Sequence, residues 1–155
     1  MPAKKEDRAF NLLVLLQQSM DAYYNARNKE LAPYGISSRE AATLHAIVSI
    51  GKDVTPAKLA RWVYRKPHTI SGILNRMRKK GLVTLTKDFE IKNLVRIALT
   101  PKGQEVYKES NKRKTVHRTF KDVIGEDYDQ LAASLTKIRD SALKQAGDTI
   151  HRPFP

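Results

Sequence analysis

The chain contains no cysteine, which excludes disulfides, thiolate zinc sites and thiol-based redox sensing. Long apolar runs are missing as well. The longest purely aliphatic stretch is Leu12 to Leu16, far short of the roughly 20 residues that span a bilayer. Gln17 and Gln18 follow it with no small-residue cleavage site, so neither a membrane span nor a secretory signal is expected, and the expected location is cytoplasmic. Catalytic signatures are also lacking: there is no glycine-rich phosphate loop and no nucleophile elbow. The histidines (His45, His68, His117 and His151) are scattered, and none forms an i, i+4 metal pair. The carboxylates Glu126, Asp127 and Asp129 sit where a helix begins, and the helix dipole accounts for them. We therefore expect no enzyme, no metal and no cofactor.

The most telling absence is of acid. Between Asp53 and Asp88 no carboxylate occurs, while Lys58, Arg61, Arg65, Lys66, Arg76, Arg78, Lys79, Lys80 and Lys87 are all basic. These nine cations supply most of the formal net charge of +13. With a pI near 10.0, the natural partner is a polyanion, nucleic acid or an anionic membrane surface; the competing reading is a basic but passive surface. At 155 residues the chain fits one compact domain, or a small domain with added helices. With 41% hydrophobic and 29% charged residues, either long helices that complete their core in a dimer or a partly disordered tail would explain the balance.

A first long helix is expected from about Glu6 to Leu31, with Phe10, Leu13, Met20, Tyr24 and Leu31 at helical spacing. Leu12, Val14, Leu15, Leu16 and Tyr23 widen its apolar surface beyond one stripe, and a second copy of the chain is a plausible cover. After Pro33 and Gly35, Ser37 or Ser38 caps a second helix ending near Gly51. Thr55-Pro56 and Lys66-Pro67 open a third and a fourth helix, because proline at the first helical position gives up an N–H that would go unbonded anyway. In the fourth helix Ile70, Ile73, Leu74 and Met77 follow the spacing of a buried face, and Gly81 is placed to end it. Leu82 to Thr86 and Leu94 to Thr100 read as strands joined by a loose hairpin without a turn glycine. A fifth helix is expected from Thr100-Pro101 to about Val123, polar through its middle, and a sixth from about Asp127 to Ala146. In the sixth, Tyr128, Leu131, Leu135, Ile138 and Ala142 make a pairing seam. The tail ends His151-Arg152-Pro153-Phe154-Pro155, where Ile150 and Phe154 are candidate docking residues.

Two segments carry a family resemblance. Lys66-Pro67-His68-Thr69-Ile70-Ser71-Gly72-Ile73-Leu74-Asn75-Arg76-Met77-Arg78-Lys79-Lys80-Gly81-Leu82-Val83 resembles the recognition helix and first wing strand of the multiple antibiotic resistance regulator (MarR) family. Ile97-Ala98-Leu99-Thr100-Pro101-Lys102-Gly103 resembles that family's strand-end and helix-start signature. The resemblance implies a mainly α fold with a small β-hairpin: a winged helix-turn-helix over residues 37–101, with dimerisation helices in 1–36 and 102–155. It further implies a homodimeric transcription regulator, such as a repressor, on pseudo-palindromic duplex DNA, often released by a small aromatic effector. One departure stands out. Where the family's wing carries Asp-x-Arg, this chain has Glu90-Ile91-Lys92-Asn93, which leaves Lys92 as the substitute cation.

On this reading the recognition helix 67–80 enters the major groove. His68, Thr69, Ser71, Gly72 and Asn75 face the bases, Asn75 being suited to bidentate contact with adenine. Lys58, Arg61, Arg65, Lys66, Arg76, Lys79 and Lys80 would hold phosphates. Lys87, Lys92 and Arg96 belong to the basic wing, 83–99, on the flanking groove or backbone. A solvated helix face is the bland alternative, and a winged helix used for non-specific architectural nucleic-acid binding is the functional one. Tyr23, Tyr24 and Tyr34 with His45 could line an effector pocket, but ordinary core and interface aromatics explain them as well.

Overall fold

The structure is a computed structural model that describes residues 5–149. The docking expected of Ile150 and Phe154 falls outside these residues, as does His151. Helix α1 spans Lys5–Leu31 and passes through a 3-10 turn, Ala32–Tyr34, into α2, Ser38–Ile50. Then come α3 (Pro56–Trp62), α4 (Pro67–Lys79), strands β1 (Val83–Lys87) and β2 (Val95–Leu99), and helices α5 (Pro101–Ser110), α6 (Lys114–Phe120) and α7 (Tyr128–Gln145). The mainly α fold with one antiparallel hairpin is as expected, with Val83 opposite Leu99 and Lys87 opposite Val95.

The core lies between α2, α3, α4 and the hairpin. Leu44, Leu59, Ile70, Leu74, Met77 and Leu82 are fully buried there. Local chemistry fixes each entry into it. Ser37 caps α2 in a capping box with Glu40: the Ser37 hydroxyl accepts the Glu40 amide at 3.2 Å, and the Glu40 carboxylate accepts the Ser37 amide at 2.8 Å. Thr55 caps α3 and Thr100 caps α5, each followed by proline. At Gly103 the backbone approaches so closely that a Cβ would lie 2.0 Å from the Leu82 carbonyl oxygen, so no other residue fits without moving the hairpin. From β2, the Ile97 amide donates to the Val54 carbonyl at 3.0 Å, which ties the wing to the segment just before α3.

The long fifth helix expected to reach Val123 is two helices. The chain breaks after Ser110, and Arg113 takes a left-handed φ of 50°. The cause is tertiary. Arg27 of α1, 5% exposed, donates to the Ser110 carbonyl at 2.6 Å and pairs with Glu30 at 2.6 Å. The Glu30 carboxylate then accepts the amides of Lys114 and Thr115 at 3.0 and 2.9 Å, capping α6 from another helix. Periodicity cannot register a cap supplied from more than 80 residues away.

Burial alone would raise the Glu30 pKa, but the hydrogen bonds from Thr115 and Arg27 outweigh it and lower the value from 4.5 to about 2. Folding thus depresses this pKa. The resulting stabilisation is complete above the unfolded value and is lost as pH falls from about 4.5 through about 2. Glu30→Gln should lower unfolding free energy at neutral pH by about 2–3 kcal/mol and flatten its decline over that acid window. Denaturant unfolding across a pH series measures both; wild-type and variant curves that stay parallel would contradict the capping role.

Candidate nucleic-acid interface and adjoining cavity

Helices α3 and α4 meet at a turn closed by two backbone hydrogen bonds, Tyr64 N–H to Arg61 O at 3.3 Å and Arg65 N–H to Ala60 O at 2.9 Å. This is the glycine-type helix stop, yet Tyr64 fills it with φ of 50°. A left-handed aromatic residue costs about 1–2 kcal/mol. Its ring offsets part of that by lying 5.8 Å beneath the Arg139 guanidinium of α7. Helix α4 ends with the same pair of bonds around Gly81, where φ is 71° and no strain arises. Lys80 fastens that end: its ammonium donates to the Glu40 carboxylate at 2.8 Å and to the Gly35 carbonyl at 2.9 Å. Burial pushes the Glu40 carboxyl up, but Lys80 and the Ser37 amide prevail and hold it below the usual carboxylate range. Helix α4 is thereby tied to the start of α2.

On α4 itself Ile70, Ile73, Leu74 and Met77 are buried, while His68, Ser71, Asn75, Arg76 and Lys79 are exposed on other faces. Thr69 is half-buried at the flank beside Arg65 and Arg39. The Ser71 hydroxyl donates to the Pro67 carbonyl at 3.1 Å, which leaves its oxygen as an acceptor. Gly72 is not enforced by packing, since a Cβ there would meet only the Arg76 guanidinium at an ordinary 3.8 Å. Lys58, Arg61, Arg65 and Lys66 are exposed on α3 and the turn. Together with Arg76 and Lys79, they make no ion pair among the described residues. Lys80 is set apart from this group by its bonds to Glu40 and Gly35.

The wing differs from expectation in its charges. Lys87 and Lys92 are exposed. Arg96 is instead an internal brace, its Nε donating to Asp88 at 2.6 Å and a terminal nitrogen to Asp53 at 2.8 Å. Asp88 also accepts the amides of Glu90 and Ile91 at 2.8 and 3.0 Å, and Asn93 adopts φ of 65°. An aspartate and an asparagine thus build the turn that the absence of glycine made look loose. The opposing hydrogen bonds of Arg96 keep the Asp88 carboxyl below its ordinary pKa. Asp53 and Asp88 were legible only as the two limits of the acid-free segment.

Between this unit and the outer helices lies a cavity of about 380 Å³, lined by Tyr23, Arg27, His45, Trp62, Tyr107 and Arg113 among others. His45 stacks on Tyr107 with ring centroids 6.5 Å apart. Arg113 can only donate, so His45 Nδ1 accepts its hydrogen bond at 3.1 Å and the neutral ring carries its proton on Nε2. Burial first, and the Arg113 charge second, lower the His45 pKa. Of the tyrosines grouped with His45, only Tyr23 lines this cavity. Tyr34 reaches Glu109 at 3.2 Å, and Tyr24 faces separate pockets beside Ser38 and Arg39. Tyr107, Trp62, Arg27 and Arg113 escape sequence reading because they come from four separate elements. Among the described residues no cluster of three potential ligands could hold a metal, and no helix is long and apolar enough to cross a membrane.

Residues 34–88 match the MarR family model. Among curated proteins none matches by sequence. Among solved structures, the organohalide-sensing transcriptional regulator RdhR in its ligand-free form is 27% identical over 100% of this chain and 96% of that one, with a TM-score of 0.86. Its form bound to 2,4-dichlorophenol is 28% identical with the same coverage and a TM-score of 0.84. A mutant MarR from E. coli, complexed with operator DNA, shares the fold at 18% identity and a TM-score of 0.77, over 88% of this chain and 99% of that one. Matched in sequence from the turn before α2 to the end of β1, and in fold over the whole chain, the protein is similar to the MarR family of winged-helix transcriptional regulators.

Proposed function

We propose that the protein is a homodimeric, sequence-specific DNA-binding regulator whose α4 reads the major groove of a pseudo-palindromic operator. The observation that carries this reading is the division of labour along one acid-free segment of the chain. His68, Ser71 and Asn75 offer donors and acceptors at the front of α4, with Thr69 at its flank. Lys58, Arg61, Arg65, Lys66, Arg76 and Lys79 surround them as exposed cations suited to phosphate contact. Lys80 is left out of the phosphate set because its ammonium serves Glu40. Lys87 and Lys92 would meet the flanking backbone.

Dimerisation is supported by apolar surface that one chain leaves open. Phe10, Leu12, Leu13 and Leu15 of α1 are each more than half exposed, and on α7 Tyr128 and Ile138 are 50% exposed, with Leu131 and Leu135 beside them. Such surface at both ends of the helical region fits a second copy, which would assign 1–36 and 102–155 to dimerisation and 37–101 to DNA binding. The pair would have to present two α4 helices about 34 Å apart, one turn of duplex.

Selection from random duplexes should enrich a two-fold symmetric site. With about four phosphate contacts per subunit, the slope of log K against log salt should be on the order of −7. Binding with no enriched sequence would favour the architectural alternative, and a slope near zero would exclude polyanion binding. Gly72→Ala separates reading from folding: alanine should stabilise the helix by up to about 1 kcal/mol while weakening operator binding, because the added methyl faces outward. An unchanged operator affinity would remove Gly72 from the interface.

We further propose that a small aromatic effector releases the DNA from the cavity between α1, α2, α5 and α6. Its aromatic walls, with Arg27, Arg113 and His45 beside them, suit a phenol or aromatic acid, and the relative RdhR is itself found with 2,4-dichlorophenol. Chlorophenols and aromatic acids should raise the melting temperature and lower operator affinity together, with Arg113→Ala blunting both. A panel that moves neither leaves the cavity as ordinary core packing.

A further inference from the structure

The tip of the wing exposes two apolar side chains. Phe89 is 100% exposed and Ile91 52% exposed, two residues apart on the turn between β1 and β2. This turn is fastened. Asp88 accepts two of its amides and the Arg96 guanidinium, the Asp88 amide donates to Leu94 O at 2.8 Å, and the Leu94 amide to Ile91 O at 3.1 Å. A phenyl ring held fully in water on an ordered turn forgoes about 1.5–3 kcal/mol of burial. Single exposed apolar residues are common, but here two share one projecting tip.

We propose that Phe89, with Ile91, is an apolar wedge that enters the minor groove of duplex DNA beside the operator's major-groove contacts. The proposal rests on the DNA-binding reading above. Charge identifies the occupant: the tip directly follows the acid-free, nine-cation segment that ends at Lys87, and Lys92 lies on its far side. That surface draws in a polyanion, whereas a second copy carrying +13 would be repelled from it. The tip itself is electrically balanced, Lys87 and Lys92 against Asp88 and Glu90, and Arg96 is committed to Asp53 and Asp88. Its hold on a groove must therefore come from apolar contact with sugar faces and base edges, as in proteins that press a hydrophobic side chain against the minor-groove floor. Such a wedge favours A·T flanks, because guanine's 2-amino group both obstructs the floor and loses its hydrogen-bond partner.

The test uses the full-length protein and its selected operator with three flanks under the wing: A·T, G·C and inosine·cytosine, which lacks the 2-amino group. Wild type should bind the A·T and inosine·cytosine flanks alike and more tightly than G·C. Phe89→Ala should weaken binding to the first two about tenfold and erase the difference among the three. The salt slope should stay unchanged, since no phosphate contact is lost. Because Phe89 touches nothing in the chain, the variant's melting temperature should match wild type. In Phe89→Trp, indole emission should shift to the blue on adding operator. Operator binding by Phe89→Ala that equals wild type on every flank overturns the wedge and leaves the DNA-binding reading intact. Failure of wild type to bind any duplex overturns both. A changed sedimentation mass of DNA-free Phe89→Ala would make the tip a protein contact and also overturn the proposal.

Discussion

The ion pair of buried Arg27 and half-buried Glu30 on α1 holds the two parts of this molecule in their relation. Arg27 spends one arm on the carbonyl at the end of α5 and the other on Glu30, whose carboxylate caps the start of α6. One pair thus supplies both the acceptor and the donor that a broken helix needs. Removing Glu30 would leave the buried Arg27 guanidinium without its carboxylate partner. The break it stabilises turns Arg113 back toward His45, and that contact forms a wall of the cavity. The same node therefore positions the helices with uncovered apolar faces, the cavity, and α2, against which the recognition unit packs.

The recognition unit is braced by polar contacts more local than that node. Glu40 serves the cap of α2 and the end of α4 at once. Thr100 closes the far side, its hydroxyl donating to Gly81 at 2.6 Å while Lys102 donates to Lys80 O at 2.9 Å. The motif from Leu99 to Gly103 is therefore a clamp: threonine caps and ties, proline starts the helix, lysine reaches the preceding helix end, and glycine permits the close approach. Cations divide accordingly. Lys80, Lys102 and Arg96 hold the scaffold, and the exposed cations of α3 and α4 remain for a ligand. Charge counted along the chain does not distinguish these two uses.

Tyr64 adds a further link between the parts. A strained turn residue joins α3 to α4 and lies under Arg139 of α7. That ring therefore brings α7 into contact with the turn from which α4 starts. The outer helices thus meet the α2–α4 unit at two places, at α2 beside the cavity and at the turn between α3 and α4.

Much of what near neighbours govern was legible in the sequence, the wing turn built by Asp88 and Asn93 being an exception. The buried face of α4, the proline starts of α3 to α5, the cap at Ser37, the glycine stop at Gly81 and the exposed polar front with His68 and Asn75 each follow from residues within a few positions of one another. Helix geometry and capping are local physics, so the chain alone determined them, along with the acid-free charge that points to a polyanion. The break before α6, the pairing of Lys80 with Glu40 and of Arg96 with Asp53, and the membership of the cavity were decided only in three dimensions. Their partners, such as Glu30 and Lys114, Glu40 and Lys80, or Asp53 and Arg96, lie tens of residues apart. No periodicity records such a distance, because these contacts exist only once the core has brought the helices together.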